Sequence, residues 1–169
     1  EGTLCLVTEV KLHCNPLPPP VSGLLCAQFA SLREALEATL IARRHDCFAA
    51  ELIDETVLEC TMRSIEHREN RFFLEGDPKA VLVIDIRDDS REAVREVTQE
   101  IESELRAAGL GYAYPVVLGE ATTRVWNLRK AGLGLLGNIP GKAKATPVVE
   151  DTAVRLADLP AYIGEVEDC

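Results

Sequence analysis

The sequence predicts an α+β domain of the split βαβ, or ferredoxin-like, class, with an antiparallel sheet and helices on one face. Between residues 21 and 118 the elements follow the order β-α-β-(α)-β-α-β. The run Val81-Leu82-Val83-Ile84 is continuously apolar, which is typical of a central strand. The chain of 169 residues is long enough for one such domain with a full core.

Before residue 21 the pattern indicates an arm and a connector. Residues 3–14 alternate apolar and polar positions, which predicts a strand. Pro16 and the run Pro18-Pro19-Pro20 then favour an extended polyproline segment. We therefore expect an N-terminal strand arm that a proline-rich hinge separates from the rest of the chain.

The first βα units are predicted between residues 21 and 65. Residues 21–29 form an apolar strand, and Ser31 with Glu34 provides a capping box for the helix that follows. Residues 47–53 predict a short strand. A second helix is expected from Asp54 to about Ile65, with an apolar side that we assign to Val57, Leu58 and Met62.

The second half of the chain repeats the pattern. Residues 80–86 predict a strand, Ser90 begins a long helix that Gly109 stops, and residues 112–118 form a strand that Pro115 places at an edge. A helix over residues 120–136 follows. A strand near 147–154 and a C-terminal helical extension from about residue 156 complete the prediction.

Charge and hydropathy exclude several classes of partner. The 28 acidic and 18 basic residues give a net charge of −10. A nucleic-acid-binding domain needs a basic footprint for phosphates, and an anionic membrane surface attracts basic segments. No apolar run reaches the length of a membrane span. An anionic small molecule would therefore need a local cluster of inward-facing cations.

The cysteines and histidines do not predict a metal site. The six cysteines lack C-x-x-C or metal-knuckle spacing, and the three histidines lack His-x-x-x-His spacing. Cysteines in apolar runs are typical of buried, reduced thiols in a cytoplasmic protein. Gly132-x-Gly134-x-x-Gly137 has the letters of a dinucleotide fingerprint, but it lies late in a predicted helix and not after a strand.

Two cations near the end of the chain form the candidate site. Arg129 follows Trp126 in Trp126-Asn127-Leu128-Arg129, and Lys144 lies fifteen residues later across a glycine-spaced segment. An arginine fork and a lysine point charge can converge on a carboxylate. The alternatives are that Arg129 stacks on Trp126 or pairs with an acidic neighbour, and that Lys144 is solvated. Spacing alone predicts only a possible anion site.

Several stretches resemble the C-terminal domain of FAD-linked oxidases, the family of D-lactate and D-2-hydroxyglutarate dehydrogenases and the glycolate oxidase flavin subunit. These stretches are residues 67–78, 125–136 and 149–154. The start, Glu1-Gly2-Thr3-Leu4-Cys5, is similar to the segment that closes the FAD-binding domain of that family, where glycine is usual at the position of Cys5. The closest similarity is to long bacterial members with a fused iron–sulfur region.

The resemblance implies a division of the chain and a set of site residues. Residues 1–20 would be the end of the FAD-binding domain and a linker, and residues 21–169 the cap, or substrate, domain. Arg129 and Lys144 would bind the carboxylate of a D-2-hydroxy acid, with Lys142 as a competitor for the lysine position. Gly2 and Thr3 would lie near FAD.

The resemblance also implies what this segment lacks. The catalytic base and the divalent-metal segment of the family would follow after residue 169, so we expect neither a catalytic residue nor a metal ligand here, and the isolated segment should be inactive. In the whole enzyme a hydride would pass to flavin. The competing hypothesis is a ferredoxin-like ligand-sensing or assembly module without redox chemistry.

Overall fold

The computed structural model describes residues 5–137 and 152–168. Four strands and five α-helices lie in these residues, together with 3₁₀ turns at Arg68–Arg71 and Leu156–Asp158. The strands are β1 (Val21–Phe29), β2 (Ala49–Asp54), β3 (Ala80–Asp88) and β4 (Val116–Leu118). The helices are α1 (Leu32–Ala42), α2 (Glu55–Arg63), α3 (Arg91–Ala107), α4 (Ala121–Leu136) and α5 (Leu159–Glu167).

The sheet has the strand order β2-β3-β1-β4, and every neighbouring pair is antiparallel. Strand β3 is central, as its apolar run predicts, and it pairs with β1 from Val21↔Asp88 to Phe29↔Ala80. The predicted α+β class and split βαβ order are confirmed, as is the C-terminal helix. Strand β4 is a short edge strand that begins directly after Pro115, because proline cannot donate a ladder hydrogen bond.

Polar caps set where three of the helices begin. The side chains of Ser31, Asp54 and Ser90 accept hydrogen bonds from the backbone N–H three residues ahead, at 3.2, 2.9 and 3.1 Å. Each cap satisfies a donor that the first helical turn leaves without a partner. Helix α3 ends before Gly109, whose φ of +70° is the left-handed conformation that glycine favours.

One face of the sheet carries the two helices of the βαβ repeat. Helices α1 and α3 pack here against inward side chains of β1 and β3, and these side chains are almost fully buried. The core on this face includes Leu25, Ala27, Phe29, Leu82, Ile84, Ile86, Ala35, Ala38, Val94, Ile101 and Leu105. This is the single helical layer that the sequence predicts.

The opposite face is also covered, which differs from the prediction of helices on one face only. Helices α2 and α4 pack there over a second core of Leu24, Cys26, Val81, Val83, Ile53, Leu58, Phe73, Val117, Val125 and Leu128. The reason lies in β1 and β3, which are apolar at consecutive positions and therefore present apolar side chains to both faces. A sheet with two apolar faces needs a layer on each side.

The predicted N-terminal strand is not formed. Residues 5–20 contain neither helix nor strand up to the start of β1, and their apolar side chains are exposed, among them Leu6, Val10 and Leu12. A strand requires a hydrogen-bonding neighbour, and no described strand pairs with this segment. The described part of the strand predicted near 147–154, residues 152–154, is also non-regular.

The apolar side of α2 differs from the prediction at one position. Met62 is 51% exposed, whereas Thr61 is fully buried. The Thr61 hydroxyl is satisfied by donating to the Leu58 carbonyl at 2.7 Å and by accepting from Arg71 Nη1 at 2.9 Å. A buried hydroxyl with both bonds made can occupy the place that a sequence pattern assigns to an apolar residue.

The charged segment 66–71 contacts both helices of the second layer, α2 and α4. Arg71 donates to the carbonyl of Leu58 in the middle of α2, and Arg124 of α4 donates to the carbonyl of Glu69. The Arg124 guanidinium also lies 4.5 Å from the Phe72 ring centroid, within cation–π range. These contacts tie α2 to α4 through the 3₁₀ turn between them.

The buried thiol of Cys26 is expected to lower the stability of the fold at alkaline pH. Burial raises the pKa of its thiol above the ordinary value of 9.0. The thiol ionises from about pH 9 only when the chain unfolds, so stability is fully present below pH 9 and falls as the pH rises above it. We expect the free energy of unfolding, measured by urea titration, to fall by about 1 kcal/mol between pH 8 and pH 10 through this thiol.

The matched variants are Cys26→Ala and Cys60→Ala in the 169-residue chain. The Cys26→Ala variant should lose this part of the pH slope, whereas Cys60→Ala should keep it. Equal slopes in the two variants would contradict the assignment to Cys26.

Candidate functional site

Arg129 lies on the flank of α4, next to the side of the helix that faces the sheet. Val125 and Leu128 are fully buried against the sheet, and Trp126 packs against the same core. The helical period of 3.6 residues turns Arg129 away from that buried stripe toward the edge strand β2. Its side chain is 45% exposed. The packing of its neighbours therefore fixes the helix while leaving the guanidinium accessible.

Glu51 of β2 is the partner of Arg129. Arg129 Nη2 lies 2.8 Å from Glu51 Oε2, and the Glu51 side chain is 40% exposed. Strand alternation explains the contact, because Ile53 packs in the core on the α4 face and Glu51 is two residues earlier. Ala50 and Leu52 point to the other core. Of the two alternatives to ligand binding that the sequence left open for Arg129, the structure records the ion pair with an acidic neighbour.

Close packing of α2 on α4 sets the position of this pair. A Cβ atom on Gly132 would lie only 3.1 Å from Val57 Cγ1, so the glycine permits the observed approach of the two helices. Helix α2 follows β2 without a loop, because Asp54 ends the strand and caps the helix. The spacing between α4 and β2, and with it the spacing between Arg129 and Glu51, therefore depends on this helix contact.

A pocket of about 290 Å³ opens beside Arg129, between the end of β2, the start of α2 and the second half of α4. Its lining consists of Leu52, Ile53, Asp54, Val57, Arg129, Gly132 and Leu136. The volume is near the lower end of the roughly 300–1,000 Å³ of small-molecule sites. Arg129 supplies the positive charge of this lining, and the Asp54 carboxylate already accepts the Val57 N–H at 2.9 Å.

The arrangement can bind an anion but offers little for catalysis. A half-exposed guanidinium at the edge of a mostly apolar pocket is suited to hold a carboxylate while the pocket receives a carbon chain. Among the described residues of the lining, the Asp54 carboxylate is the one group that could transfer a proton, and it already accepts the Val57 N–H that caps α2. Within residues 5–137 and 152–168, no group of three His, Cys, Asp or Glu side chains could hold a metal ion.

The other predicted site residues lie outside the described residues. Lys144 and its competitor Lys142 fall between residues 138 and 151, and Gly2 and Thr3 precede residue 5. Of the four predicted contacts, the structure therefore places Arg129. Sequence reasoning missed Glu51. The signal that could have found it is its spacing from Ile53, because residues two apart in a strand lie on the same face of the sheet.

The described residues provide no cradle for the phosphates of a dinucleotide. Such a cradle needs a glycine-rich turn between a strand and the start of a helix. The junctions that precede α1, α2, α3 and α4 contain at most one glycine, Gly119. The glycine pattern at 132–137 lies at the end of α4. No helix in the described ranges is both long and apolar enough to cross a membrane.

The fold and the site together define a ferredoxin-like domain with helices on both faces of its sheet and an arginine at the edge of a pocket. The sequence model of the family "FAD linked oxidases, C-terminal domain" matches residues 18–169. The chain belongs to this family, as its resemblance implied.

Curated relatives match almost the whole chain. A D-2-hydroxyglutarate dehydrogenase of Pseudomonas putida is 31% identical over 98% of this chain, and one of Pantoea ananatis is 30% identical over the same share. The Haemophilus influenzae protein of that name is 29% identical over 98% of the chain. The chain spans 17% of the length of each of these relatives.

Proposed function

We propose that the whole protein is an FAD-dependent oxidoreductase, a dehydrogenase that acts on a D-2-hydroxy acid, and that this chain is its substrate-side domain. The observation that carries the proposal is the position of Arg129, which stands half-exposed at a pocket on a firmly packed helix. Support comes from the family match and from relatives named D-2-hydroxyglutarate dehydrogenase. FAD, held outside the described residues, would accept the hydride.

Arg129 and Lys144 are proposed to bind the substrate carboxylate, Arg129 through its planar fork and Lys144 as a point charge. Lys142 is the competing lysine. A net charge of −10 repels anions at long range, so a local pair of cations is needed to bind a hydroxy acid. The share of this domain in the reaction is to fix the orientation of the substrate, which lowers the barrier by placing the reacting atoms together.

The exposed arm is proposed to belong to an adjoining FAD-binding domain. Leu6, Val10 and Leu12 are exposed in this chain, and the family match begins only at residue 18. An alternating segment with exposed apolar side chains can complete a sheet elsewhere in the same polypeptide. Gly2 and Thr3 would then approach FAD. The isolated chain is proposed to be inactive, and the whole protein to be cytoplasmic, with an iron–sulfur region as a further prediction.

The test is the visible spectrum of the full-length protein. We expect purified protein to show flavin absorption that bleaches without oxygen when D-2-hydroxyglutarate or D-lactate is added, because the flavin is reduced by substrate. The L-enantiomers are the matched control and should leave the spectrum unchanged. The 169-residue chain should show no flavin absorption.

A folded, colourless full-length protein would contradict the proposal and favour the ligand-sensing or assembly module. A flavin spectrum that neither hydroxy acid bleaches would contradict the substrate class.

A further inference from the structure

We propose that Glu51 positions Arg129, holding its guanidinium in the orientation that binds the substrate carboxylate. The inference rests on the proposed function and adds to it a residue outside the predicted carboxylate contacts. Glu51 is a positioning residue, because it acts through Arg129 and is not assigned a contact with substrate.

The first support is the rigidity of the element that carries Glu51. Strand β2 pairs with β3 along its full length, and Glu51 lies opposite Val83, a fully buried residue of the central strand. Ala50 and Leu52, which flank Glu51, pack against the core on one face, and Ile53 packs in the core on the other. The carboxylate therefore projects from a backbone position that the sheet fixes.

The second support is the conformational freedom that the Arg129 side chain would have without a carboxylate partner. An arginine side chain has several rotatable bonds and loses roughly 2 kcal/mol of rotamer entropy when it is fixed. Arg129 is about half exposed, so packing alone does not fix it. A carboxylate 2.8 Å from Nη2 removes part of that freedom before substrate arrives. Preorganisation of this kind improves binding, because the entropy of the Arg129 side chain is then lost on folding and not on ligand binding.

The third support is the small value of this ion pair for stability. Exposed pairs typically contribute about 0–1 kcal/mol to folding. The Glu51–Arg129 pair is of that kind, and the helix contact at Val57 and Gly132 already positions α4. The pair therefore matters more for the orientation of the Arg129 guanidinium at the pocket than for the stability of the domain.

A guanidinium has the geometry for two carboxylates at once. Its five N–H donors lie in one plane. The contact with Glu51 is made through Nη2, so the fork can present its other donors to a second carboxylate. Glu51 also brings a negative charge that opposes an anionic ligand. The sign of the effect of removing Glu51 separates these roles, since loss of positioning weakens substrate binding and loss of repulsion strengthens it.

The experiment compares variants of the full-length protein. Glu51→Ala is expected to raise KM for D-2-hydroxyglutarate about tenfold and to leave kcat unchanged, because the ordering of Arg129 serves ground state and transition state alike. Glu51→Gln keeps an acceptor oxygen for Arg129 and should recover most of the wild-type KM. Glu59→Ala breaks an exposed ion pair on α2, with Arg63, and is the matched control that should not change KM.

A second background tests whether Glu51 acts through Arg129. Single-turnover flavin reduction measures the apparent substrate affinity of Arg129→Ala and of the double variant Glu51→Ala/Arg129→Ala. The two should agree, since Glu51 then has no guanidinium to hold. A further loss in the double variant would overturn the inference, and so would a KM for Glu51→Ala that is unchanged or lower.

Different results would overturn the proposed function and the role of Glu51. A wild-type flavin that no hydroxy acid bleaches overturns the proposed function. An Arg129→Ala variant with normal kinetics removes Arg129 from the site and the inference with it. Impaired Arg129→Ala together with normal Glu51→Ala overturns the inference about Glu51 alone.

Discussion

Replacement of Arg129 by alanine in the full-length protein is expected to lower kcat/KM for D-2-hydroxyglutarate by about 10²- to 10³-fold. Loss of one partner of a charge-assisted carboxylate contact costs roughly 3–4 kcal/mol, which corresponds to this ratio. The fold should persist, because the Arg129 side chain is about half exposed and its ion pair with Glu51 lies at the surface. Steady-state kinetics with D-2-hydroxyglutarate, and a thermal melt of the same protein, provide the measurement.

Two variants serve as controls for Arg129→Ala. Arg129→Lys keeps the charge but loses the planar fork, so its kcat/KM should fall between wild type and alanine. Lys130→Ala removes the adjacent exposed cation, which borders a different pocket on α4. Its kinetics should remain close to wild type. Equal effects of Arg129→Ala and Lys130→Ala would indicate a general loss of positive charge and would contradict a specific site.

The second large effect is expected on stability, at Leu128. Leu128 is fully buried in the core under α4 and immediately precedes Arg129. Leu128→Ala leaves a cavity between α4 and the sheet and should cost about 3 kcal/mol of unfolding free energy in the 169-residue chain. Urea denaturation followed by circular dichroism measures the change. Such a loss is a large part of the roughly 5–15 kcal/mol that a domain has.

Asn127 offers the matched position for Leu128, one residue earlier and exposed. Asn127→Ala should change the unfolding free energy by less than about 0.5 kcal/mol, as is usual for surface substitutions. A loss in Leu128→Ala no greater than that in Asn127→Ala would mean that α4 does not depend on this core. The position of Arg129 would then have no support from packing.

Local chemistry explains why most of the fold could be predicted from the sequence. A polar residue before an apolar stripe can accept a hydrogen bond from a free N–H of the first helical turn, as Ser31, Asp54 and Ser90 do. Because this interaction is local, the start of a helix can be predicted without knowing the tertiary structure. The run at 81–84 is apolar at every position, and such a run needs burial on both faces. The same run therefore implies a helical layer on each face of the sheet as well as a central position for β3.

The errors arise where a residue depends on distant partners. Residues 5–14 alternate like a strand, but a strand forms only where another strand accepts its hydrogen bonds. Met62 fits the apolar period of α2, yet Thr61 is buried because Arg71 and the Leu58 carbonyl satisfy its hydroxyl. Neither partner can be deduced from a helical period.

The candidate site depends on a family resemblance more than on physical pattern. The segment that contains Trp126-x-x-Arg129 resembles the family, whereas the spacing of Arg129 and Lys144 by itself predicts only an anion site. The partner Glu51 is 78 residues away in sequence, and its contact requires the close approach of α4 to α2 that Gly132 and Val57 permit. Packing of this kind is specific to the folded chain.

A crystal structure of the full-length protein with D-2-hydroxyglutarate bound would show directly whether Arg129 holds the substrate. We expect the substrate carboxylate to lie within about 3 Å of the Arg129 guanidinium, the distance of a charge-assisted hydrogen bond. We also expect Glu51 to remain paired with Nη2 on the opposite side and FAD to lie outside residues 21–137. A substrate carboxylate bound elsewhere, with Arg129 paired to Glu51 alone, would contradict the proposed role of Arg129.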